Sequence, residues 1–144
     1  MTEDSPEIIY QNEKNTSRLE WRATESLYLL YGEGHVNLED FKGSFNALKT
    51  HQRQSGALKV IIDIYKVKST PILGRTWLVS SFLPDLYKNL EGSLAIALIN
   101  TNSFFEGLTI SLLVKTIQGL GFDLGIRFYK DVVEAEAALR GEKK

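Results

Sequence analysis

The sequence predicts a single-domain α/β fold in which an N-terminal β-hairpin precedes helices and strands that alternate on a mixed, mainly parallel sheet. Three observations carry this. Two runs, LKVIIDI from Leu58 and LAIALI from Leu94, are apolar at almost every position, as strands covered on both faces are. Helical periodicities separate and follow these runs, and strands alternating with helices require crossover connections and so a parallel arrangement. Finally, 144 residues with 43% hydrophobic content suit one core of ordinary size, with helices packed against the sheet.

Residues 1–6 are polar, and Glu7 to Gln11 can form a short edge strand. Ser17 to Arg22 alternates, with Leu19 and Trp21 on one face and Arg18, Glu20 and Arg22 on the other. A turn at Ala23 to Glu25 leads into Ser26 to Tyr31, which completes a hairpin expected to run out at Gly32-Glu33-Gly34. Asn37 then reads as a helix N-cap with Asp40 three residues on, a variant of the capping box. Leu38, Phe41, Phe45 and Leu48 form the buried stripe of that helix, Lys42, Lys49 and Arg53 its wet side, and Gly56 its stop.

The strand from Leu58 breaks at Ser69-Thr70-Pro71, where a hydroxyl is expected to cap a helix running from Pro71 to about Leu83. Pro84 restarts a shorter helix through Leu90. Ile72, Leu73, Trp77, Leu78, Val79, Phe82 and Leu83 spread over more than one face, whereas a helix lying on a sheet needs only one apolar face. After the second apolar strand, a helix is expected over 104–120, with Ile110, Leu113, Val114 and Ile117 facing the core and an extra row of Phe104, Phe105, Leu108 and Leu112. Ile126 to Tyr129 reads as a short strand. Asp131 with Glu134 caps a final helix that presents Val132, Ala135, Ala138 and Leu139, and residues 140–144 are tail.

Composition narrows the function. With 17 basic and 18 acidic residues the formal net charge is −1, so no global field attracts nucleic acid. The absence of cysteine removes disulfides, thiolate metal sites and cysteine catalysis, and fits a cytoplasmic protein. The first residues carry acids where a signal peptide needs bases, and no apolar run approaches the length of a membrane span.

The order of elements, the turn IIDIYKVKSTPILG and the ending GFDLGIRFYKDVVEAEAAL resemble the STAS-like proteins, the fold of the anti-sigma-factor antagonists, and within them the SpoIIAA-like (STAS/Sec14-type) bacterial branch. The resemblance covers about Leu19 to Leu139 and is specific for fold. It implies an acidic residue ending the central strand and a phosphorylatable hydroxyl in the next turn, and Asp63 and Ser69-Thr70 occupy those positions. This chain departs from the antagonist pattern Asp-Ser-Ser-Gly: it reads Lys-Ser-Thr-Pro, with glycine only at Gly74. By analogy with Sec14-type lipid carriers, the branch implies binding of apolar ligands or membranes between helices.

Two candidate sites follow. In open α/β sheets ligands collect at the carboxyl ends of the strands. There Trp77, Leu78 and Phe82 on one helix, with Phe104, Phe105, Leu108 and Leu112 on the next, can line a groove for an apolar small molecule, a lipid or a partner protein. The alternatives are that these rows pack on each other or form a homodimer interface. Ser69 or Thr70 can instead accept a phosphate, held by the helix dipole and by Lys66, Lys68 and Arg75, unless one hydroxyl is only a cap.

Catalysis and cofactors find little support. Gly32-Glu33-Gly34 lacks the third glycine of a dinucleotide loop, no Walker or Gly-x-Ser-x-Gly sequence occurs, and His35 and His51 have no carboxylates at ligand spacing. Asp63 is the one carboxylate placed like a catalytic one, at the expected strand end. The expectation is a non-enzymatic binding or regulatory domain without cofactor or metal. An anti-sigma-type phospho-switch is the alternative, and a small enzyme using Asp63 the weaker one.

Overall fold

The computed structural model describes residues 6–90, 92, 94–99 and 126–140. Strands β1 (Glu7–Gln11), β2 (Ser17–Arg22) and β3 (Leu27–His35) form an antiparallel meander, and β4 (Lys59–Ser69), β5 (Ala95–Ile99) and β6 (Ile126–Tyr129) continue it in parallel. The six strands lie in sequence order, so the α/β class and the mixed, mainly parallel sheet expected from the pattern are present. Among the described residues the α-helices are α1 (Leu38–Ser55), α2 (Ile72–Trp77), α3 (Leu83–Lys88) and α4 (Val132–Leu139); the helix expected over 104–120 lies outside them.

Local chemistry explains the joints. The β1–β2 turn closes because Asn12 Oδ1 accepts the Thr16 and Ser17 amides, while Asn15 takes a positive φ of 59°. Helix α1 starts at Asn37, whose side chain accepts the Asp40 amide at 2.7 Å, and stops at left-handed Gly56, both as expected. Asp40 does not complete a reciprocal box. Its carboxylate accepts the Tyr10 hydroxyl and the Asn12 amide, each at 2.8 Å, and ties the β1–β2 turn to the first turn of α1. Asp131 likewise accepts the Glu134 amide at the start of α4.

The sheet is covered on both faces around β4. On one face Leu19, Tyr28, Leu30 and Val60 pack against Phe41 and Leu48 of α1 and against Leu78, Phe82, Leu83 and Leu86. On the other, Leu27, Leu29, Ile61, Ala97 and Ile99 pack against Ala135, Val132 and Leu139 of α4. Adjacent residues Val60 and Ile61 are thus buried on opposite sides, as the unbroken apolar run requires.

Three expectations are corrected. First, β3 does not end at Gly32-Glu33-Gly34 but runs through them to His35. The glycines permit this: a side chain at Gly32 would meet Val67 at 3.2 Å, and Gly34 adopts φ 68°. Second, Pro84 does not restart a separate helix. Residues 72–88 are helical throughout, with a wide π turn over Leu78–Phe82 that joins α2 to α3 and is closed by the Leu83 amide bonding to the Leu78 carbonyl. Pro84 has no N–H for the Ser80 carbonyl and its ring would crowd it, and the widened turn just ahead accommodates both defects. Third, no hydroxyl caps α2. The N-cap is Pro71 itself, whose carbonyl accepts the Gly74 and Arg75 amides.

Candidate functional site

Among the described residues, β4 continues beyond the Ile62–Leu98 pair with β3, through the pairs Glu33–Lys66, Gly34–Val67 and His35–Ser69. The register slips twice along this extension, so its strands twist as they reach the carboxyl end of the sheet. The slips also put Val67 in the core beside Leu98 while Lys66 and Lys68 are exposed. At the end of the extension the Val36 amide bonds to the Ser69 carbonyl at 3.0 Å and closes the pair.

The hydroxyls singled out in the sequence are both engaged there. Ser69 Oγ lies 2.7 Å from His35 Nδ1. Arg75 donates from Nη1 to the Thr70 carbonyl at 2.9 Å and to Thr70 Oγ1 at 2.6 Å, and so braces the bend into α2. The structure therefore brings Ser69, Thr70 and Arg75 together with His35, which follows the expected end of the hairpin at Gly34. The run of β3 past its glycines, in register with β4, is what places His35 there. The turn holds two cationic or basic side chains in contact with two hydroxyls, a set able to bind an anion or receive a phosphate.

Immediately after the bend, Ile72 and Leu73 are 70% and 69% exposed, while Leu78 and Phe82 farther along the same rod are 7% and 2% exposed. Gly74, between the two sets, is pressed onto the Phe41 ring so closely that a Cβ there would come within 2.6 Å. Trp77 is half-buried, its ring centroid 5.3 Å from Phe82 and 6.4 Å from Phe41, with Lys42 Nζ 5.6 Å from its centre. Of the groove residues expected on this helix, Leu78 and Phe82 thus belong to the core and Trp77 lies at its margin. Phe104, Phe105, Leu108 and Leu112 lie outside the described residues. The excess of apolar residues that drew attention to the helix has its outlet at Ile72 and Leu73.

Asp63 is not at a strand end. It sits in the middle of β4 opposite Tyr31, with the Tyr65 amide 3.4 Å from Oδ1. Burial pushes its carboxyl above the ordinary carboxylate range, against the weaker pull of the Tyr65 amide, Lys66 and Arg18. A raised folded-state value means that ionisation opposes folding: the cost is fully present above the folded value and is relieved as pH falls toward the unfolded one near 3.8. Asp63→Asn is therefore expected to raise the melting temperature at pH 7 and to lose that advantage near pH 3. A variant less stable than its parent at neutral pH would contradict this reading.

Among the described residues no group of three or more His, Asp and Glu side chains is placed to hold a metal ion, and no helix is long and apolar enough to cross a membrane. No protein-family model matches the chain, and no curated protein matches it significantly.

Proposed function

We propose that this chain is a STAS-like binding and regulatory domain without enzymatic activity, which takes an apolar ligand, a lipid or a partner protein at the carboxyl end of β3 and β4. One observation carries the reading: the outward pair Ile72 and Leu73, at the start of a helical rod whose later apolar residues are buried. Large aliphatic side chains held adjacent and mostly in water at a sheet's carboxyl end mark an interaction site. Trp77 and Lys42, behind the pair, extend it toward α1.

The test is native mass spectrometry of protein purified from a host close to its own, together with titration of a fluorescent acyl probe. Bound mass lost on denaturation, or probe binding, is expected in the parent and is expected to fall at least tenfold in the double variant Ile72→Asp/Leu73→Asp. Purified protein that carries no ligand and binds no probe would remove the lipid and small-molecule forms and leave a protein partner.

A second reading, a phospho-switch at Ser69 or Thr70, is favoured by the contacts of His35 with Ser69 and Arg75 with Thr70. A phosphate at either hydroxyl would meet a basic side chain already in place. Intact-mass analysis that finds no phosphate-sized increment after exposure to lysate of the native host with ATP would count against it.

A further inference from the structure

We propose that the tip formed by the end of β4 and the start of α2 docks on an anionic lipid surface, with Ile72 and Leu73 entering the headgroup boundary and Lys66, Lys68 and Arg75 facing the lipid phosphates. This rests on the binding reading above and commits it to one partner. Three independent observations point the same way.

The first is charge. The chain as a whole is acidic by one unit, yet from Ile64 to Leu83 it contains Lys66, Lys68 and Arg75 and no aspartate or glutamate. Both lysines are exposed. The second is the apolar content of the same stretch. Ile72 and Leu73 are mostly in water, and Tyr65, with half its surface exposed, supplies an amphipathic ring of the kind that favours a membrane interface. Glu33 on β3 stands opposite Lys66, while within the stretch itself every charge is cationic. Adjacent aliphatic residues beside those cations fit an anionic bilayer, which offers apolar depth and negative charge at one surface, whereas an acidic peptide offers chiefly the charge. The third is rigidity. The Arg75 bonds to Thr70 and the Val36 bond to Ser69 hold the bend, so presenting the apolar pair costs little ordering on contact.

Vesicle co-sedimentation tests this with two compositions, pure phosphatidylcholine and phosphatidylcholine with about 30% phosphatidylserine, in about 0.1 M salt. The parent is expected to pellet with the anionic vesicles and not the neutral ones, and to release as salt rises. Each cation near such a surface contributes about fivefold in partitioning, so Lys66→Gln/Lys68→Gln should weaken binding by roughly 25-fold. Ile72→Asp/Leu73→Asp should abolish it. All four positions are exposed or half-exposed to solvent beside the core, and an unchanged melting curve in each variant confirms that folding survives.

Absence of sedimentation with anionic vesicles overturns the proposal. So does vesicle binding that the aspartate pair leaves intact, or salt-sensitive binding to polyglutamate in place of vesicles. Loss of vesicle binding together with acyl-probe binding that still depends on Ile72 and Leu73 would sink only the membrane partner. Indifference of both assays to the aspartate pair would sink the underlying binding reading as well.

Discussion

Phe82→Ala is expected to lower folding stability by about 3–5 kcal/mol, seen as a fall in the urea midpoint with little change in slope. The ring is 2% exposed, its centroid lies 5.3 Å from both Phe45 and Trp77, and Lys49 Nζ stands 5.5 Å from it. Its removal takes apolar surface out of the core and leaves a cavity between α1 and the rod, because the surrounding rings are themselves fixed by one another. Exposed Ile72→Asp, ten residues nearer the bend, is expected to change stability by no more than about 0.5 kcal/mol. The contrast separates packing from binding on one helix. A Phe82→Ala protein as stable as its parent would mean that the side chain borders an accessible groove after all.

The second large effect is alkaline unfolding. Tyr10, Tyr28 and Tyr31 have phenols pushed from the ordinary value of 10 up to about 12. For Tyr10 the main cause is burial, followed by its bond to the Asp40 carboxylate; for Tyr28 it is burial, partly offset by Ser55; for Tyr31 it is the bond to the Glu33 carboxylate. Each phenol is neutral in both states below pH 10. Between pH 10 and 12 the unfolded chain releases these protons while the folded one retains them, so stability falls through that window. Fully buried Tyr28 contributes a loss of about 2–3 kcal/mol by pH 12, and the half-exposed pair less after solvent screening.

Circular dichroism across that range is expected to show a steep loss of structure, and urea midpoints a decline beginning near pH 10. Tyr28→Phe should flatten the decline. It should also cost about 1–2 kcal/mol at neutral pH, because His51 Nδ1 and Ser55 Oγ, at 2.7 and 2.9 Å from the hydroxyl, lose their partner. Stability that stays level from pH 9 to pH 12 would contradict the assignment.

Much of this architecture was legible in the sequence, and the reasons are physical. Strands written as unbroken aliphatic runs, the alternation around Leu19, the Asn37 cap and the Gly56 stop are local signals, set by side-chain period and backbone φ, and tertiary contacts had no need to alter them. The misreadings at Gly32, Pro84 and Thr70 share one cause. Each is a residue that ends or caps an element in isolation, and in each a neighbour distant in sequence or a compensating turn let the element continue or start otherwise: Val67 packed against Gly32, the π turn ahead of Pro84, and Arg75 bound to Thr70. The candidate site was half legible. Ser69, Thr70 and Arg75 could be found from a short stretch, whereas His35 enters only through the pairing of β3 with β4.

The π turn has a consequence for angular phase. At roughly 100° per residue, an uninterrupted α-helix would put Ile72, roughly three and four turns ahead of Leu83 and Leu86, on their core-facing stripe, and would turn Gly74 away. One added residue rotates everything before it by about the same angle. Gly74 then meets Phe41, Leu78 joins the core, and Ile72 swings into water. Deleting Ser81 would undo that rotation without touching a single side chain at the tip. The aliphatic pair and the helical irregularity are two ends of one offset, so the face this protein turns outward is encoded by a residue count several positions downstream.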